Sequence, residues 1–418
     1  MASTALLTAL LTAGTITHGG AVQGGTIMRV TSLADDGPGS LRVALQAATP
    51  KVIVFDVGGV IHLASDLKIA TPRTTIAGQS APAPVILTGG SLRVRASDVV
   101  IQHIAVRPGP GPTPEINGNR DAITIGGGTR PIQNIRVENV SLSWSVDEGA
   151  DIAGSASNVT FRDNIVAEAL RNAGHPKGPH SMGMLINKDN QAIAVTGNLF
   201  AANEFRNPAI ARGGAIYVGY NLIVDPGQNA IHFYDVAGTT PLTVSLIGNV
   251  VLAGSDTKKN VTAIQVPADM ASTGAEIYIA QNQAAPGEVT NPGGFVFAAS
   301  PPVGPPEGFT PPADVRAWAF KYAGARPAAR DSVDSQIISA AGQGRLHIID
   351  DPSQVGGLAD TPPVQAAAAV PDNPFAASSQ PGLLRIEAWL CLRHLNLGGP
   401  VTPECPETVS AYRHALGT

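Results

Sequence analysis

The feature that most constrains this chain is a unit that keeps returning, in which alternating apolar residues run into an Asn and then into more apolar residues. It is seen in Ile135-Arg136-Val137-Glu138-Asn139-Val140, in Val159-Thr160-Phe161-Arg162-Asp163-Asn164-Ile165 and in Ile193-Ala194-Val195-Thr196-Gly197-Asn198-Leu199. Copies ending on Asn221, Asn249 and Asn282 follow, and the intervals from Asn139 onward are 25, 34, 23, 28 and 33 residues. An earlier copy, Val99 to Ile104, carries His103 where the Asn is expected. A short β unit at a period near two dozen residues predicts a solenoid whose coils bury their apolar sides on one another. The expected fold is all-β, a right-handed parallel β-helix with Asn side chains stacked from coil to coil. A β-sandwich also alternates apolar residues, but it does not require Asn at one phase of six successive units. Extra residues in a solenoid emerge as loops, commonly on the binding face, and the long intervals 139–164 and 164–198 bracket the most polar segments.

The rest of the sequence fits one elongated body. In 418 residues there are 46 Gly and 34 Pro, with 14% charged residues, which suits many short strands joined by tight turns. Ser40 to Gln46 reads as a short helix with Ser40 as N-cap, placed to cover the open end of the solenoid. We expect a signal-peptide remnant or a disordered N-terminus over 1–25, the β-helix over 26–300 and a Pro/Ala-rich extension over 301–418. The runs Pro301 to Pro306 and 361–382 read as extended coil that wraps the solenoid. The start, Ala5 to Ala13, resembles the apolar part of a signal peptide without a basic residue before it. No segment is apolar for long enough to span a bilayer. Cys391 and Cys405 are close enough in sequence for one local disulfide, and two free thiols fit as well.

A net charge of −5 and the absence of a Lys/Arg run exclude nucleic acid and anionic membranes as general partners. Any polyanionic substrate must then be held by a few placed cations. Three constellations lie between residues 117 and 214. The first is acidic: Asp121, then Asp147, Glu148 and Asp151 in one short run. Carboxylates from adjacent coils can surround a calcium ion without a helix-loop-helix hand, and the alternative is that they cap turns. Strand alternation points Glu148 away from Asp147. The second is Phe205 to Arg212, where Arg206 and Arg212 can meet uronate carboxylates through paired hydrogen bonds. The third is His175-Pro176-Lys177-Gly178-Pro179-His180-Ser181, one cation flanked by two imidazoles. Two His without a third ligand make a weak zinc signal.

At these residues the chain resembles the pectate lyases of the parallel β-helix type, in particular bacterial relatives. Asp147-Glu148-Gly149-Ala150-Asp151 is similar to that family's Asp-Gly-x-x-Asp calcium motif, and Asp121 matches a ligand on the preceding coil. Arg206-Asn207-Pro208 resembles the start of its Arg-x-Pro-x-x-Arg motif, whose first Arg abstracts the proton; Arg212 follows by six residues, one more than the motif has. Lys177 lies near a substrate-binding Lys, and Asp331 to Gly357 resembles the C-terminal part of those relatives. Ser141 to Ser145 departs from the Trp-Ile-Asp-His block of well-known members.

The resemblance implies a secreted, extracellular or periplasmic, monomeric polysaccharide lyase. It implies Ca²⁺ on Asp121, Asp147 and Asp151, Arg206 as base, and Lys177, His180 and Arg212 as substrate contacts. Two other classes remain open on the residues alone. A β-helix glycoside hydrolase needs two carboxylates flanking the bond, and a non-catalytic carbohydrate-binding solenoid needs neither calcium nor Arg206. An unsaturated product marks the lyase, new reducing ends without it mark the hydrolase, and binding without product marks the adhesin.

Overall fold

A computed structural model describes residues 24–233, 241–259, 261–287, 289–291 and 295–417; the leader expectation falls almost wholly outside them. Each coil gives one short strand to each of three sheets, and consecutive strands of a sheet pair in parallel with their counterparts one coil away. The chain is a right-handed parallel β-helix, the hand that parallel crossovers take. Its interior is a continuous column of Ile, Val, Leu and Phe from Val30 to Phe295. The helix Leu41–Gln46 closes the first coil. Ser40 accepts the Val43 N–H, and Leu41, Ala44 and Leu45 enter the core.

The ladder exists, but one residue later than expected at its first member. Asn164, Asn198, Asn221, Asn249 and Asn282 are linked by amide bonds of 2.9–3.0 Å, each Asn donating to the next Oδ1. Asn139 is not among them. Strand register pairs Glu138 with Arg162, so Val140 holds the ladder position and donates its N–H to Asn164 Oδ1. Asn139 fills the preceding position, which is left-handed in coil after coil: His103, Asn139, Asp163, Tyr220 and Gln281 all have φ between 49° and 58°. Asn suits that position as well as the ladder, because its short polar side chain tolerates αL. From there Asn139 Nδ2 donates to Tyr322 O, and His103 Nδ1 meets Ala325 O.

Those contacts fasten the region after residue 301, whose described residues hold four α-helices as well as coil. Val315–Tyr322 and Ser332–Gln343 pack on the outer face of the sheet that carries Ile165, Leu199 and Leu222. Arg385–Asn396 and Val409–Leu416 pack on Val52, Val54 and Ala77, and Cys391 is bridged to Cys405. The remaining sheet, built from strands such as Ile123–Ile125 and Glu148–Ile152, carries the polar constellations on its outer face. Among the described residues no helix is long and apolar enough to cross a membrane.

Candidate active site

Alternation along these strands sorts residues by chemistry. Leu92, Ile123, Ala150 and Met184 point into the core, while Arg93, Thr124, Asp151 and Leu185 align in register on the outside. Asp121 and Asp147 lie in the turns that lead into two neighbouring strands, and Glu148 heads the second. Asp121, Asp147 and Glu148 each bring an oxygen within 4.8 Å of the others. Alternation misdirects Glu148 because the turn, not the pleat, sets the direction of a strand's first residue. Asp121 is fixed by the Glu148 N–H at 3.2 Å, by Thr124 Oγ1 at 2.5 Å and by Arg93 at 3.1 Å. Asp151 stands on the same outer face, and its Oδ1 is buried with no hydrogen-bond partner.

Burial sets the electrostatics, and like charge deepens it. The Glu148 carboxyl is pushed up to about 8 by burial and then by Asp147, against the pull of Arg206. Asp147 rises to about 6 through burial and Asp121. Asp121 and Asp151 are also held above the usual carboxylate range, burial first in each case.

Arg206 ion-pairs with Glu148, and so stands at the edge of this cluster. It has φ 63°, an unusual conformation for a residue other than Gly, within a loop seated on the previous coil. Met184 N–H donates to its carbonyl, and a Cβ at Gly183 would stand 2.6 Å from that carbonyl. The turn 175–180 brings its two imidazoles to Asp147, with Nε2 of His175 at 3.7 Å and of His180 at 3.5 Å from Oδ1. His180 is held down at about 4, by burial and then by His175. Lys177 is exposed on the same turn and its charge favours ionised Asp147. Arg212 lies beyond the other end of strand Ala209–Ile210, where its carbonyl accepts the Asp189 N–H. The fold thus gathers Asp121, Asp147, Glu148, Asp151, Arg206 and the histidine turn, with Arg212 apart. Arg93 and Thr124 were missed; coil register alone would have aligned them with Asp151.

No family model matches the chain. It is 32% identical over 351 residues to a probable pectate lyase C of Aspergillus fumigatus, covering 80% of this chain and 77% of that protein. The chain belongs to the pectate lyase family. A probable pectate lyase C of Emericella nidulans is 36% identical over 190 residues, 45% of this chain and 41% of that one. These relatives are fungal. Among solved structures, the major allergen from cedar pollen aligns with TM-score 0.50 and 20% identity over 84% of this chain and 92% of that one. A pectate lyase studied for its anti β-elimination mechanism aligns with TM-score 0.50 and 15% identity, 76% and 98% covered. Both likenesses bear on the fold.

The donor set of this pectate lyase fits a hard divalent cation. Four carboxylates face two directly paired guanidiniums, Arg206 on Glu148 and Arg93 on Asp121, the latter shared with Asp66. A divalent cation would offset this excess of acid, and the unpartnered Asp151 oxygen is the type of ligand it takes.

Proposed function

We propose that the protein cleaves an acidic, pectate-like polyuronate by β-elimination, with calcium held by Asp121, Asp147 and Asp151, joined by Glu148, and with Arg206 as the base. The observation that carries this reading is the crowded acidic cluster, short of positive charge, with a guanidinium at its edge. Calcium, when bound, supplies charge at the uronate carboxylate and acidifies the adjacent C5 proton. Arg206 takes that proton at its guanidinium as the C4–O bond breaks and a C4–C5 double bond forms, the leaving oxygen gaining a proton from water; Lys177 and His180 hold the polymer beside the cluster, and Arg212 holds it farther along, beyond strand Ala209–Ile210. A guanidinium serves as a base only where it is deprotonated, so this reading predicts activity that rises with pH. Asp121, Asp147 and Glu148 bring oxygens within 4.8 Å of one another, closer than the about 6.5–9.5 Å that separates the pair of an inverting hydrolase.

Residues 301–418 are read as cover for the solenoid rather than a second catalytic domain, which their packing on two outer sheet faces supports. The leader-like start and the Cys391–Cys405 bridge support secretion. The test is an absorbance assay for unsaturated product on pectate, pectin, glucuronan and alginate, each with and without chelator. Product on pectate that chelator abolishes is the expected result. Reducing ends without absorbance overturn the lyase reading, and product unaffected by chelator overturns the calcium assignment.

A further inference from the structure

The sequence offers two histidines without a third ligand, and the fold supplies one from the neighbouring coil. We propose that Asp147, His175 and His180 form a second metal site, for a borderline ion such as Zn²⁺, distinct in donor chemistry from the all-oxygen cluster beside it. One ligand atom from each of the three lies within 4.8 Å of the others, and both Nε2 atoms face the same Asp147 oxygen. Zinc takes nitrogen and oxygen donors about 2 Å from the ion, so tetrahedral donors stand roughly 3.3 Å apart. The present separations of 3.5 and 3.7 Å need only small closure, with some splaying of the two stacked rings.

The hydrogen bonds rank the ligands. His180 Nδ1 faces Pro179 O at 3.2 Å and donates to it, which leaves the lone pair on Nε2, aimed at the carboxylate. A ring proton given to a backbone carbonyl is the usual support of a metal-bound histidine. His175 is the weaker ligand, because its Nδ1 accepts the Lys177 N–H at 3.1 Å and its own proton sits on Nε2. Ligation moves that proton to Nδ1 and ends the Lys177 contact. His175 Nε2 is buried and has no hydrogen-bond partner to lose.

Hard calcium prefers the carboxylate cluster, whereas imidazole suits zinc. Asp147 serves both, so the two ions compete for it or share it. The experiment is calorimetric titration of the full chain with zinc chloride, with and without saturating calcium, backed by the visible spectrum of bound Co²⁺. One ion per chain is expected. His180→Asn should weaken zinc at least about tenfold and His175→Asn by less, both leaving calcium binding and circular dichroism unchanged. Asp147→Asn should weaken both ions. Zinc uptake in a chain that binds no calcium supports this site and overturns the calcium reading. No zinc uptake by the wild type overturns the site, as does equal uptake by the double histidine variant.

Discussion

Two buried clusters of acids and arginines sit on different faces of the same solenoid, and they are built to opposite ends. On the sheet that leads into the Asn ladder, Arg136 and Arg162 meet Glu138 and Glu404 in four mutual ion pairs. The two arginines match these two acids, Gln102 donates to Glu138 from the neighbouring coil at 2.7 Å, and the adjoining Asp163 is raised to about 7 by burial. Burial alone would raise Glu404, yet Arg162 and then Arg136 hold it far below the usual carboxylate range. On the site sheet four carboxylates face two paired guanidiniums, and the acids are pushed up instead. The first cluster fastens the C-terminal cover; under the proposed function the second holds charge in reserve for a ligand.

The largest expected effect comes from the open cluster. Arg206→Lys keeps the charge but loses the planar fork, and both it and Arg206→Ala should lose about 100- to 10,000-fold in kcat while folding normally. The measurement is kcat at saturating polymer and calcium across alkaline pH. A loss under about tenfold would make Arg206 a uronate contact and move the base to Lys177, His180 or Arg212.

The closed cluster should break in stability rather than chemistry. Glu404→Gln takes one acid from Arg136 and Arg162, and removing one partner of a buried pair costs about 3–5 kcal/mol. Urea unfolding checks it, with kcat of the folded enzyme unchanged. A cost under about 1 kcal/mol would show that water reaches the cluster. The same variant carries a pH signature. Glu404 has a folded value depressed below 4.5, so its contribution is present above 4.5 and is lost as pH falls below it. The stability gap between wild type and Glu404→Gln should therefore be constant near neutrality and narrow in acid; a gap that widens there rejects the pairing.

How much of this was legible follows the range of the interactions. Coil spacing is local, so the parallel β-helix and the ladder from Asn164 to Asn282 could be read. Asn139 misled because the left-handed position and the ladder position accept the same residue, and only register with Arg162 separates them. The helices after residue 301 were invisible because their faces are matched to distant partners, as when buried Arg107 pairs with Asp331 and Asp334 at the start of Ser332–Gln343. At the site, acids clustered in sequence were found. Arg93, whose partner Asp121 comes from the next coil, was not.

The smallest expected effect is the sharpest test of the contrast, because it reverses sign. Asp151→Asn removes a crowded carboxyl whose Oδ1 has no hydrogen-bond partner, so in chelator it should stabilise the chain by on the order of 1 kcal/mol. The folded value of Asp151 is raised, so the wild type loses stability as pH climbs above the unfolded value, and the variant's advantage should grow from acid toward neutral pH. Saturating calcium should cancel or invert the advantage, since a ligand bound only by the folded state stabilises it in proportion to ln(1 + [L]/Kd), and the variant binds it more weakly. Urea unfolding at pH 5 and pH 8, each with chelator and with calcium, separates these terms. Destabilisation by Asp151→Asn in chelator at both pH values would mean that the site cluster is already closed by its own arginines, as the Glu404 cluster is, and holds no reserve for a cation.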